Sequence, residues 1–203
     1  GINIKRNPLC GRNFEYFSED PYLAGMIGAG WIKGLQSEGA AACLKHFAGN
    51  NQETDRLLSN SMIDPTALHE LYLEAFRIAV ESAQPEGVMC SYNQVNGTYS
   101  SDNTYLLSKV LRQQWGFKGA VVTDWGALND KVASLNAGGD LEMPSSHNMF
   151  DPQALEALNA GRLKRPALDR AAGNVVRIAE KQRPEFTGDR KDLLTKNGQL
   201  AQK

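Results

Sequence analysis

Residues 119–127, Gly-Ala-Val-Val-Thr-Asp-Trp-Gly-Ala, decide how this chain is read. A small and apolar run leads through Thr123 into the carboxylate Asp124, followed at once by Trp125 and Gly126. Such a run suits a short buried strand. An acid at its tip has two readings. It can cap a following helix by accepting free N–H groups, or it can be the working group of a site. The stretch alone leaves both open.

The same form recurs along the chain. Ala41-Ala42-Cys43-Leu44 runs into Lys45-His46-Phe47, Gly87-Val88-Met89-Cys90 into Ser91-Tyr92-Asn93, and Asp140-Leu141-Glu142-Met143 into Pro144. Between these runs lie helical patterns: PYLAGMIGAGWIKGLQSEG (21–39), PTALHELYLEAFRIAVESA (65–83) and NTYLLSKVLRQQWG (103–116). In the second, Leu68, Leu71, Tyr72, Ala75, Phe76 and Ala79 fall on one face of a 3.6-period helix. Strand and helix alternate, so the sheet is expected to be parallel and covered by helices. The polar residues gather at the carboxyl ends of the strands: Asn3 and Arg12, Lys45 and His46, Tyr92 and Asn93, Asp124 and Trp125, Glu142. In a parallel barrel that rim is where active sites form. Cys43 and Lys45, Cys90 and Tyr92, and Val122 and Asp124 lie two apart, which puts each pair on one side of its strand. The expected fold is α/β, the C-terminal part of a TIM-like (β/α)8 barrel.

Composition narrows the partners. Lys and Arg number 22 against 23 Asp and Glu, a net charge of −1. That balance gives no electrostatic footprint for nucleic acid or an anionic membrane. No apolar stretch reaches the roughly 18 residues that span a bilayer. Cys10, Cys43 and Cys90 are odd in number and far apart, so they read as reduced, buried thiols rather than a disulfide framework or zinc site. With no basic and apolar leader visible, these thiols favour a cytoplasmic setting. No cofactor and no metal are expected. Gly1-Ile2-Asn3-Ile4 reads as the end of a strand, and LLTKNGQLAQK (193–203) continues helix-like without a cap. The chain is therefore expected to be a piece of something longer, with barrel over 1–183 and a linker opening a second α/β domain over 184–203.

Four motifs, GRNFEYFSEDPYLAG (11–25), CLKHFAGNNQETDR (43–56), VMCSYNQVNG (88–97) and VVTDWGA (121–127), in this order resemble glycoside hydrolase family 3, in its β-glucosidase branch. The resemblance runs from Gly1 to about Gln182. It implies a retaining glycosidase acting on β-linked glucosides or oligosaccharides, with Asp124 as the nucleophile that forms a covalent glycosyl intermediate. It places Arg12, Lys45, His46 and Arg56 on the sugar hydroxyls, where their cations would also balance the charge of Asp124. Tyr92 would lie close to the nucleophile, and Trp125 would wall the sugar pocket rather than pack in the core. Glu15, Glu19 and Asp20 are expected to brace the loop of Arg12. His69 reads as surface, and His147 as a loop residue.

The resemblance also implies what lies outside the chain. The aspartate that grips the sugar's 4- and 6-hydroxyls belongs upstream of Gly1, and the acid/base glutamate to a second domain downstream of Lys203. The β-N-acetylhexosaminidase branch carries its proton donor in an Asp-Ser/Thr-His pattern on the barrel. The corresponding AGNNQETDRLLSN (48–60) has no such histidine. Other readings are a β-xylosidase or another exo-β-glycosidase of the same fold, or a non-catalytic sugar-binding barrel remnant.

Overall fold

The structure, a computed structural model, describes residues 1–181 and 188–202. A 3₁₀ turn, Asn13–Glu15, precedes helix α1 (Pro21–Ser37), strand β1 (Cys43–Phe47) and the short β2 (Asn60–Ser61). Helix α2 (Pro65–Ala67) runs through a π-helical turn, Leu68–Tyr72, into α3 (Glu74–Ala83). Then come β3 (Gly87–Cys90), the hairpin strands β4 (Gln94–Val95) and β5 (Thr98–Tyr99), the π-helical segment Tyr105–Gln114 and β6 (Ala120–Val122). Helices α4 (Lys131–Ala137), α5 (Asp151–Asn159), α6 (Arg165–Glu180) and α7 (Arg190–Ala201) follow. The expected boundary at 183/184 lies outside the described residues.

β1, β3 and β6 form a parallel sheet in chain order. The expected strand at Ile4 is represented by one backbone bond, Ile2 N–H to the Lys45 carbonyl at 2.9 Å. That at Leu141 is a single parallel bridge to Val122. Each of these end segments has one neighbour, so its ladder is short. The result is a row of parallel strand tips, β1, β3, β6 and the Leu141 segment, joined at one edge by the Ile2 segment and backed by helices, a partial barrel. Its open wall, lined by Cys43, Gly87, Ala120, Val122 and Leu141, bounds with Val175 and Ile178 of α6 a cavity of about 500 Å³. Cys43 is therefore exposed, against the expectation of a buried thiol, whereas Cys10 and Cys90 are buried.

The covering layer explains the glycines of α1. A Cβ on Gly25 would stand 2.8 Å from Ile78 Cβ, and one on Gly28 2.9 Å from Ile2 Cγ2. Their absence lets α1 lie directly on α3 and on the first strand. Beneath, Phe47 meets Phe76 and Trp115 edge-to-face, at centroid distances of 5.3 and 5.8 Å.

The apolar stripe of residues 68–79 is corrected in one turn. Leu68, Ala75, Phe76 and Ala79 are buried, but Leu71 is 44% exposed and Leu73 takes the core position. The π-helical turn Leu68–Tyr72 adds a residue to the coil and rotates the face, which a 3.6-residue period cannot anticipate.

Asp140 ties the last helix to the sheet. Its fully buried carboxylate accepts from the Val121 amide (2.8 Å), Arg112 Nη2 (2.5 Å), Arg170 Nε (3.2 Å) and Asn174 Nδ2 (3.0 Å). Arg170 and Asn174 belong to α6, so one buried anion, fully paired, docks that helix.

Candidate active site

The tips of β1, β3 and β6 meet the loop that follows the first strand. Within β1 the ladder to β3 shifts register between Leu44 and Phe47, so the strand does not keep strict alternation through Lys45 and His46. Separately, the Lys45–His46, Phe47–Ala48 and Met143–Pro144 peptide bonds are cis. Asn3 grips the His46 backbone on both sides. Its amide donates to the His46 carbonyl at 2.9 Å and its oxygen accepts from the His46 N–H at 2.8 Å.

Arg12 stands at the start of the 3₁₀ turn and uses its guanidinium arms separately. Nε donates to Glu15, Nη2 lies 2.8 Å from His46 Nε2, and Nη1 approaches Asp124 Oδ2 at 3.8 Å with no acceptor in the protein. Glu15 also takes Lys45 Nζ at 3.0 Å. Burial by itself would raise the Glu15 pKa, but the bonds from Lys45 and Arg12 outweigh it and hold the carboxylate below its ordinary value. The three acids of GRNFEYFSED therefore divide. Glu15 braces Arg12, Asp20 caps α1 by accepting from the Tyr22 amide at 2.9 Å, and Glu19 is exposed.

His46 is completely buried. Desolvation first, then the Arg12 and Lys45 charges, bring its pKa down to about 3, so the ring is neutral. Its 3.4 Å approach to Asp124 is accordingly not an ion pair.

Asp124 is 7% exposed. Oδ1 accepts from the Trp125 amide at 2.7 Å, while Oδ2 is buried with no protein donor. The capping reading fails, because the next helix, α4, is capped by Asp130, whose side chain accepts from the Ala133 amide at 2.9 Å. Tyr92 lies on the same side. Burial and then the nearby Asp124 charge push its phenol pKa up, and the Arg56 guanidinium stacks on its ring at 4.4 Å. Arg56 is tied to Glu53 at 3.0 Å. Trp125 is 64% exposed beside the carboxylate, so core packing is not its role.

The structure thus brings Arg12, Lys45, His46, Arg56, Tyr92, Asp124 and Trp125 to one rim. Among the site's carboxylates, Glu15 and Glu53 are in direct contact with cations, whereas Asp124 has only the longer Arg12 approach. Glu142 is engaged elsewhere. Burial would raise its pKa, yet bonds from the Ser146 hydroxyl and amide (2.9 Å) and the Lys131 ammonium (3.3 Å) hold it low. A carboxylate so held is a poor proton donor. His69 bonds Tyr105 Oη at 2.6 Å, and His147 is exposed. Among the described residues no group of three His, Cys, Asp or Glu could hold a metal ion.

Sequence reasoning missed two participants, the grip of Asn3 on His46 and the contact of Tyr16 Oη with His46 Nδ1 at 3.3 Å. Neither carries a local signal, since their partners lie 43 and 30 residues away. The hairpin beside the site was not read from the sequence either, although it has a local signal: Asn96-Gly97 adopts positive φ at both positions, 51° and 86°, as a two-residue turn requires.

Comparison with known proteins adds independent findings. The family profile described as "Glycosyl hydrolase family 3 N terminal domain" matches residues 2–178. The chain is 52% identical over 178 residues to thermostable beta-glucosidase B of Acetivibrio thermocellus, covering 88% of this chain and 24% of that protein. It is 51% identical over 189 residues to exo-alpha-(1->6)-L-arabinopyranosidase of Bifidobacterium breve, covering 93% and 25%. The solved structure of beta-glucosidase 3B from Thermotoga neapolitana in complex with glucose superposes with a TM-score of 0.83 at 46% identity, covering 87% and 26%. The chain thus spans about a quarter of the length of the curated relatives it matches.

Proposed function

This chain belongs to glycosyl hydrolase family 3, and we propose that, within a longer enzyme, it supplies the nucleophile and part of the sugar pocket for hydrolysis of terminal β-D-glucosidic bonds. The observation that carries this reading is the asymmetry of Asp124. One carboxylate oxygen is fixed by the Trp125 amide, the other is buried without a protein donor, and an acceptor-free Arg12 N–H stands 3.8 Å from it.

In the proposed reaction Asp124 Oδ2 attacks the anomeric carbon. The bond to the leaving oxygen breaks, and a glycosyl ester forms with retention completed by a later attack of water. Arg12 Nη1, Lys45 and Arg56 would donate to sugar hydroxyls, Tyr92 would flank the nucleophile, and Trp125 would offer an apolar face to the ring. The leaving oxygen needs a proton from a second carboxyl, about 5 to 5.5 Å from the nucleophile in retaining enzymes. Glu142, held ionised, does not suit that role. The donor would come from the second domain, downstream of Lys203.

The test is mechanism-based labelling. A 2-fluoro-glycosyl donor given to the complete enzyme should leave its adduct on Asp124, and an adduct on Glu142 would overturn the assignment. The similarity to an arabinopyranosidase at 51% identity supports a second reading, an exo-glycosidase for another pyranose, β-xylosides included. Comparing kcat/KM across aryl glycosides separates the two.

A further inference from the structure

Between Tyr16 and Asp124 the nearest donors and acceptors favour one arrangement of protons. Arginine has donors and no acceptor. The 2.8 Å contact between Arg12 Nη2 and His46 Nε2 therefore makes Nε2 a lone-pair acceptor. The single proton of the neutral ring then sits on Nδ1, which faces Tyr16 Oη at 3.3 Å. The opposite tautomer would set an N–H of His46 against an N–H of Arg12 at 2.8 Å, the other acceptor near Nε2, Asp124 Oδ2, being farther away at 3.4 Å. Tyr16 is itself buried, 3% exposed, with its ring edge-on to the imidazole at 6.2 Å. Arg12 is thus held at two arms, by Glu15 at Nε and His46 at Nη2, which leaves only Nη1 to face Asp124.

We propose that Tyr16 is a positioning residue: Arg12 sets the tautomer, and the Tyr16 hydroxyl accepts the resulting Nδ1–H and holds the ring in place, so that His46 can hold Arg12 with Nη1 aimed beside the reacting carboxylate. Its effect on turnover rests on the glycosidase reading above, whereas the tautomer does not. His46 in this arrangement serves Arg12 as an acceptor, and the charge at the rim comes from arginine and lysine alone. Deleting the hydroxyl leaves the buried Nδ1–H without an acceptor, so the ring is no longer held against Arg12, while Arg12 still favours the same tautomer.

The experiment uses the complete enzyme labelled with ¹⁵N-histidine, with the His46 resonances identified by their loss in His46→Gln. Wild type is expected to show a neutral, Nδ1-protonated ring from pH 5 to 8. Tyr16→Phe, which keeps the buried ring, is expected to keep Nδ1 protonated, to shift that N–H signal through loss of its acceptor, and to show about a tenfold loss of kcat/KM on aryl β-glucosides. In a His46→Gln background the same substitution should cost no more than about twofold, because the two residues act as one unit. An Nε2–H or imidazolium ring in wild type overturns the proposal, as do losses from Tyr16→Phe and His46→Gln that simply multiply. Absence of any β-glycoside turnover by wild type would refute the glycosidase reading and leave the tautomer to be decided by the spectra.

Discussion

Replacing Arg12 with lysine keeps the charge and removes the geometry. Arg12 meets Glu15, His46 and the Asp124 side of the site with three different nitrogens. A single ammonium can serve one of these well. Glu15 keeps Lys45 at 3.0 Å and loses little. His46 Nε2, in a ring with no exposed surface, is left without its donor. That costs roughly 1–3 kcal/mol as an unsatisfied buried acceptor. Losing the charged hydrogen bond to a sugar hydroxyl adds about 1.5–3 kcal/mol. The first cost weakens the fold of free and bound enzyme alike, so only the second enters kcat/KM, and at about 1.36 kcal/mol per decade it predicts a fall of about 10- to 10²-fold. The assay is steady-state hydrolysis of aryl β-glucosides by the complete enzyme, with kcat and KM resolved separately. The loss should appear in kcat as well as KM, since hydroxyl contacts strengthen at the transition state. A loss below tenfold, or one confined to KM, would refute the claim that the forked geometry matters.

Asp140→Ala should destabilise by about 3–5 kcal/mol, because it strands Arg112 and Arg170 beside a buried void. Hydrogen exchange at the Val121 amide and along α6 should accelerate together; unchanged protection there would contradict the docking role. Acid should weaken the fold well before ordinary carboxylates protonate. His46 has a folded pKa of about 3 against 6.5 in the unfolded chain, so the unfolded state binds the extra proton between these values and stability falls with pH across that window. Glu15 and Glu142, both held low, add to the loss at the acid end of the same range. His46→Gln should flatten the dependence between pH 6.5 and 4.5, and a wild-type stability that is level over that interval would disprove it. Finally, residues 1–203 expressed alone should not turn over an unactivated β-linked disaccharide. Steady hydrolysis would place a proton donor within them.

The parallel sheet was legible because its signals are local. Each short apolar run ends in polar residues, and each is followed by a helical period, so Lys45, His46, Tyr92 and Asp124 could be placed at strand tips from sequence spacing alone. Apart from the π-helical segment Tyr105–Gln114, the helices followed from the same periods except at the π-helical turn Leu68–Tyr72. There an inserted residue exchanges Leu71 for Leu73 in the core. Such an insertion answers to packing between α1 and α3 rather than to a propensity of its own.

The division of labour among like residues was settled only in three dimensions. Asp124 and Asp130 are both acids ahead of a helix, and the chain order does not say which one caps it. The fold gives the cap to Asp130 and leaves Asp124 Oδ2 without a protein donor. Glu15 and Asp20 lie five residues apart in one motif, yet one holds Arg12 and the other caps α1. Asp140, taken as part of a strand tip, proves to be the buried anchor of α6. His46 depends most on its surroundings, for its backbone is held by Asn3, its ring by Tyr16 and Arg12, and its neutrality by burial. A sequence sets which groups are available and which face of a strand or helix they share. Protonation state, tautomer and partner depend on desolvation and on distances of about 3 Å between residues 30 to 43 apart in the chain, and those exist only once the strands have come together.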